Sequence, residues 1–411
     1  MAASPTHLCG ASRMSTPRVA ARLPRVNRSA PPLHVVVAGG GFAAAELVLA
    51  LRALAQERVT LELVAPSPRV AFKPAASGAA FAGSPVQEFD LRELAEDAGA
   101  TYRRDAVEAV ASKASRVRCA SGAVAHYDAL VLATGARPQA AVPGASTYRD
   151  QRDSPAIARM LAELRAGVIS RVAFVVPAGV TWTLPLYELA LLTAREVDEH
   201  ELPASVTMVT PEREALEVFG LEVSSTVTSL LRNRGISLQR STHAHAVTRS
   251  GIELVDGGMV SADRVIAIPR LTGRRLSGVA ADWSGFVATD ERGRVEDLQG
   301  VFAAGDVTRF PVKQGGLATQ QADVIAAELT RLAGVDLPPE PSRYVLRTQL
   351  LGADGPLFLE AELDARGRPS TTGRPPHIST DAPWWPPAKL FGRHLSPWMA
   401  ARARPTLSAT N

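Results

Sequence analysis

The chain has 411 residues, 46% of them hydrophobic and 21% charged, the make-up of an ordinary folded protein of two or three domains at roughly 150 residues each. Its two cysteines, Cys9 and Cys119, exclude a disulfide framework and a cysteine-rich zinc site. The formal net charge of +4 is concentrated at the start: residues 1–33 hold Arg13, Arg18, Arg22, Arg25 and Arg28 and no acid, leaving −1 for the rest and arguing against a nucleic-acid partner.

That Arg-, Ala-, Ser- and Pro-rich tail lacks a sustained apolar run. It reads as a disordered extension, or else as a transit peptide, and stands outside the fold. Val35-Val-Val-Ala38 is then an apolar run of the kind a buried parallel strand shows. It enters Gly39-Gly40-Gly41-Phe42-Ala43-Ala44, and Ala43 through Gln56 reads as a helix. Gly39 permits a tight turn, Gly41 lets the backbone approach a pyrophosphate, and Ala44 replaces the third glycine of a dinucleotide-binding turn. The free N–H groups and the dipole of the helix start suit phosphates. The next strand, Val59–Val64, ends in Ala65-Pro66-Ser67, without the acid that such folds use for a ribose hydroxyl. Glu62 is either that acid, displaced, or a solvent-facing strand residue.

Further on, a strand beginning at Tyr127 ends in Ala133-Thr134-Gly135, and Val301-Phe-Ala-Ala304 ends in Gly305-Asp306. Lys313-Gln-Gly-Gly316 follows, then a helix from about Leu317 to Leu332. With these three turns in this order, residues 34–400 resemble the two-dinucleotide-domain flavoprotein superfamily. That superfamily holds type II NADH dehydrogenases, sulfide:quinone oxidoreductases and pyridine-nucleotide disulfide reductases.

The resemblance implies an α/β fold of two Rossmann-like domains, the second inserted into the first, plus a small C-terminal segment. An FAD domain would occupy 34–145 and 285–335, a second NAD(P)-type domain 146–284, and the segment 336–411. FAD is then implied to be held at Gly39, Gly41, Phe42, Ala43 and Ala44, at Thr134 and Gly135, and at Gly305 and Asp306, the aspartate accepting a ribityl hydroxyl. Lys73 is implied to lie against the cofactor and Lys313 near the isoalloxazine ring, with the helix start at Gly316 aimed at the flavin's pyrimidine edge. Only four of 45 basic residues are lysine, so a compact ammonium at Lys73 and Lys313 suggests a shape or pKa requirement. Lys313 is the catalytic candidate, acting electrostatically.

The second domain departs from the pattern. After the strand near Val172–Val176, only Gly179 of the expected glycines is clear; Pro177 lacks an N–H and Trp182 is bulky where close approach is needed. The strand Val206–Thr210 again ends without an adjoining acid. Nicotinamide binding is therefore weakened. No cysteine pair supports dithiol or polysulfide chemistry, and Cys119 reads as a structural thiol. His243 and His245 read as exposed strand residues, and no metal site is expected.

Residues 173–194 carry one charge, Glu188, yet Pro177, Gly179 and Pro185 make them a strand, turn and helix rather than a membrane span. Trp384, Trp385 and Trp398 are interleaved with Lys389, Arg393, His394, Arg402 and Arg404, a pattern suited to a lipid–water interface. The competing use is packing on the same chain or on a homodimer partner. The expected activity is FAD-dependent oxidoreduction from a small-molecule donor to a quinone, with NAD(P)H dehydrogenation and a flavin-binding protein without turnover as alternatives. The expected location is the cytoplasm, with residues 380–404 peripheral on the inner face of the membrane.

Overall fold

The computed structural model describes residues 31–83, 85–339 and 343–403; the Arg-rich stretch before them, Cys9 and Arg404 lie outside the described residues. Leu33–Ala38 (β1) has Val35, Val36 and Val37 fully buried, because a parallel strand is covered on both faces. Phe42–Ala55 (α1) leads to Val59–Val64 (β2), Ala100–Arg103 (β3) and Ala129–Leu132 (β4). After Ala136–Gln139 (β5) come Ser146–Thr147 (β6), Arg171–Val175 (β7), Leu184–Glu199 (α2), Ser205–Val209 (β8), Ser237–Gln239 (β9) and Arg264–Ala267 (β10). Arg270–Gly273 (β11) returns antiparallel to β5, and Val301–Ala303 (β12) rejoins the first sheet.

The two sheets run β12-β4-β1-β2-β3 and β6-β10-β7-β8-β9, and every pairing in them is parallel. This is the expected α/β pair of Rossmann-like sheets, with the second formed inside the chain of the first. The apolar stretch from Ala173 resolves into the end of β7, a turn and the start of α2. Among the described residues no helix is long and apolar enough to cross a membrane.

Gly315–Leu332 (α3) begins two residues before Leu317, because the Gln314 side chain caps it by accepting from Leu317 N at 2.8 Å. It packs on α1 through Ala322, Ile325, Ala326 and Leu329 against Ala43, Ala44, Leu47 and Leu51. Many of these residues are small, so the two helices approach closely over the first sheet. Cys119 is fully buried in the strand Arg116–Cys119, and burial pushes its thiol pKa up.

Tyr344–Leu350 (β13), Leu357–Leu363 (β14) and His377–Ser379 (β15) form an antiparallel sheet, and Leu395–Ala400 (α4) follows. Here the structure corrects the membrane-facing reading of the aromatic cluster. Trp384 packs edge-on against Phe358, and Trp398 packs on Phe89 while donating to Asp97 at 2.7 Å. Lys389 is buried on Glu188, and Arg402 lies over Trp398 with its guanidinium on Glu93 and Asp97. Leu395 and Met399 belong to the core. Of the three tryptophans only Trp385 faces solvent, so internal packing, not a lipid surface, accounts for the interleaving.

Candidate functional site

The three glycine turns meet because β12, β4 and β1 are neighbours and all end on the same edge. Ala133 N donates to Ala38 O at 2.8 Å, and Ala304 N donates to Leu132 O at 3.0 Å. Gly39 has φ +134°, and a Cβ there would stand 2.1 Å from Ala133 O; no other residue type fits. Gly305, with φ +78°, sits between the Cβ atoms of Ala43 and Ala318, each 3.2 Å from where its own Cβ would be. Its N–H donates to the buried Gln321 Oε1 at 2.6 Å, which ties the Gly305-Asp306 turn to α3.

Several groups on this edge have no partner of their own. Gly41 is the N-cap of α1 and provides no side-chain cap, and a Cβ on it would meet nothing within 4 Å. The first amides of this 14-residue helix thus have no side-chain cap. The Thr134 hydroxyl is buried and unpaired. Asp306 receives no hydrogen bond from the described residues; burial raises its carboxyl pKa, against the opposing pull of Lys313 and Lys73. A half-buried carboxylate without a protein donor is poorly solvated, and a polyhydroxylated ligand would supply one. Uncapped amides for a diphosphate, and a hydroxyl and a carboxylate for a polyol, are a donor and acceptor set that fits FAD.

The two lysines stand on either side of this edge. Lys73 lies 3.6 Å from Asp150 and also acts on Asp306. Its neighbour Phe72 meets Phe42 edge-on at 6.3 Å, and Phe42 abuts Gly315. Lys313 donates to Thr308 O and rests 3.8 Å above the Phe286 ring. Burial lowers its pKa to about 8, although Asp306 and Asp282 pull it upward. Gly316 stands in the first turn of α3, where Gln314 already serves the Leu317 amide. Gln320 is spent on β13, bonding Val345 N and O at 2.8 Å each. Glu62 is no ribose acid at a strand tip: it lies inside β2 and its carboxylate binds Arg103 at 2.6 Å.

The second sheet carries an acid that sequence reasoning missed. Glu212 follows β8 after Thr210-Pro211 and is 6% exposed. It accepts from Tyr187 OH at 2.7 Å, Thr210 Oγ1 at 2.8 Å and Thr183 Oγ1 at 3.0 Å. Three hydroxyls thus fill the carboxylate where a dinucleotide domain holds a ribose. The turn before α2 is equally tied down. Thr181 Oγ1 donates to Pro311 O at 2.7 Å, Arg270 donates to Ala178 O at 3.0 Å, and the Trp182 ring packs on Phe219. A Glu three residues past the strand was the available signal, masked by the intervening Pro211.

The family model for pyridine nucleotide-disulphide oxidoreductases matches residues 33–323. The chain belongs to that family. Its members are FAD-dependent oxidoreductases, and this chain keeps the edge that fits the cofactor. It is 30% identical over 282 residues to the biphenyl dioxygenase system ferredoxin–NAD(+) reductase component of Paraburkholderia xenovorans (strain LB400). That alignment covers 62% of this chain and 64% of the relative, so the chain spans less than two thirds of it. Among solved structures, the sulfide:quinone oxidoreductase of Aquifex aeolicus superposes with a TM-score of 0.73 at 20% identity, over 85% of this chain and 87% of that one. Fdr9 superposes with a TM-score of 0.58 at 26% identity, over 85% and 92%.

Proposed function

We propose that the chain passes electrons through FAD from a donor to a quinone. The observation that carries the flavin half is the unpaired Thr134 hydroxyl and Asp306 carboxylate beside the uncapped start of α1. In this reading Gly39, Gly41, Phe42, Ala43 and Ala44 accommodate the pyrophosphate, Thr134 and Gly135 flank the dinucleotide, and Gly305 and Asp306 hold the ribityl chain. Bound FAD supplies the two-electron chemistry, so no protein nucleophile is needed. Lys313, charged at neutral pH and held just before the amino-terminal end of α3, favours negative charge on a reduced ring.

The occupied carboxylate of Glu212 and the blocked turn at Pro177–Thr183 support a donor other than a nicotinamide. The paired rings of Phe310 and Tyr344, 4.8 Å apart, lie beside the Pro311 contact and suit a flat apolar acceptor such as a quinone. The test is anaerobic reduction of the purified flavoprotein by NADH, NADPH and sulfide in turn, followed by a short-chain quinone. Slow or absent bleaching by NADH with rapid reoxidation by the quinone is expected. Fast, saturable bleaching by NADH would favour the second reading, a nicotinamide-dependent reductase, which the 30% identity to a ferredoxin–NAD(+) reductase component supports.

A further inference from the structure

Three side chains far apart in the sequence converge away from the turns that frame Asp306: Glu46 of α1, Asp323 of α3, and His394 just before α4. One potential ligand atom from each lies within 4.8 Å of the other two. The backbone is built to bring them together. Gly392 has no side chain where a Cβ would stand 2.6 Å from Glu46 Oε2, so the C-terminal segment can press against α1. Thr319 Oγ1 of α3 donates to Phe391 O at 2.7 Å, and Gly392 N donates to Ser396 Oγ at 2.8 Å. These bonds fix the chain on both sides of His394.

The set has the chemistry of a metal site. Glu46 is wholly buried, and its two oxygens accept from His394 N and Leu395 N at 2.8 and 2.7 Å. Those amides orient the carboxylate and leave lone pairs for a further ligand. Asp323 shares a hydrogen bond with Glu46, and its Oδ1 is buried without a further donor. Two carboxyl groups in contact need a shared proton or a cation between them. The third member distinguishes the set from a mere acidic cluster. His394 contributes an imidazole, and burial with the Arg393 charge lowers its pKa, so it offers a neutral nitrogen. Zinc and its neighbours accept such mixed oxygen and nitrogen sets, with bonds of about 2.0–2.2 Å and ligand atoms roughly 3.3–3.6 Å apart. Asp323 and His394 are only half-buried, so small rotations close the remaining distance and leave an approach for water as a fourth ligand. We propose that Glu46, Asp323 and His394 form a site for one divalent transition-metal ion, which ties the C-terminal segment to α1 and α3. The ion takes the place of the proton that the carboxyl pair otherwise shares, and that proton leaves as the metal binds. No local spacing announces the site, which is why the sequence pointed to no metal.

The probe is Zn²⁺, titrated calorimetrically into the full-length protein after chelator treatment and dialysis. The wild type should bind one equivalent, and its Tm should rise with Zn²⁺ and fall back with EDTA. Asp323→Asn and His394→Gln should each weaken binding at least tenfold while keeping a cooperative melt in EDTA. Binding should persist in His243→Asn/His245→Asn, which removes the exposed histidine pair, and in Cys9→Ser, which removes the thiol of the Arg-rich stretch. No binding by the wild type at micromolar Zn²⁺ would overturn the proposal. So would equal binding by Asp323→Asn and His394→Gln, or loss of binding in either control. The readout does not involve the flavin, so its failure and that of the FAD reading are separate results.

Discussion

Asp306 concentrates the chemistry of the candidate site in one side chain. It lies in the turn after the buried strand β12, has no hydrogen-bond donor among the described residues, and is stabilised only by the charges of Lys313 and Lys73. Asp306→Asn keeps the shape but loses the charged acceptor. It should weaken FAD binding by about 1–3 kcal/mol, roughly 5- to 150-fold, measured by flavin fluorescence on dilution. Unchanged affinity would remove Asp306 from the cofactor site. The glycine turns that frame it were legible in the sequence, because only glycine tolerates the φ of +134° and the 2.1 Å approach at Gly39. The partners of Lys313 were not. Asp282 and Phe286 reach it across a fold-dependent distance, and no local spacing encodes such a meeting. Gln321 was visible as a glutamine on a helix, but its bond to Gly305 exists only once α3 packs beside β12.

At the scale of elements, α1, α3 and α4 meet around the buried Glu46 and the half-buried Asp323. Glu46, on α1, accepts from His394 N at 2.8 Å and Leu395 N at 2.7 Å, and so holds the start of α4. Burial, and then the charge of Asp323 on α3, raise the Glu46 pKa from 4.5 to about 8. Between those values the folded chain binds more protons than the unfolded chain. Stability from this group is thus full below about pH 4.5 and is lost as pH rises through 8. Glu46→Gln cannot titrate. The wild type should therefore lose thermal stability relative to this variant from pH 5 to 8, and parallel Tm curves would show that the pair shares no proton. Of these helices α4 was not read in the sequence, whereas α1 and α3 were legible there to within two residues. Their burial of an acid was not, since Glu46 sits at a helix position where a solvent-facing Glu is equally ordinary. The same limit explains the C-terminal segment: its aromatic and basic residues read alike for a membrane surface and for a core edge, and only the positions of Phe89, Asp97 and Phe358 decide.

At the scale of the molecule, one buried cluster joins three parts of the chain. Glu188 of α2 is 1% exposed, accepts from Ser77 in the helix Ala76–Ala82, and takes the ammonium of Lys389 from the C-terminal segment. It also accepts from Leu351 N, beyond β13, at 3.0 Å. The helix holding Ser77 follows directly on the Lys73 segment at the candidate site, so this cluster fixes the second sheet and the C-terminal segment relative to that site. Desolvating two charges is expensive, and the pair repays it only while intact. Burial lowers the pKa of Lys389, and the Glu188 charge opposes that shift. Lys389→Met should destabilise the chain by about 3–5 kcal/mol, because Glu188 is left charged and buried. Adding Glu188→Gln removes that charge while keeping an acceptor for Ser77 and Leu351. The double variant should therefore recover part of the loss in urea unfolding monitored by tryptophan fluorescence. Additive losses in the two single variants would instead mean that Lys389 and Glu188 contribute independently, and that the C-terminal segment is held by Trp384 and Trp398 rather than by this ion pair.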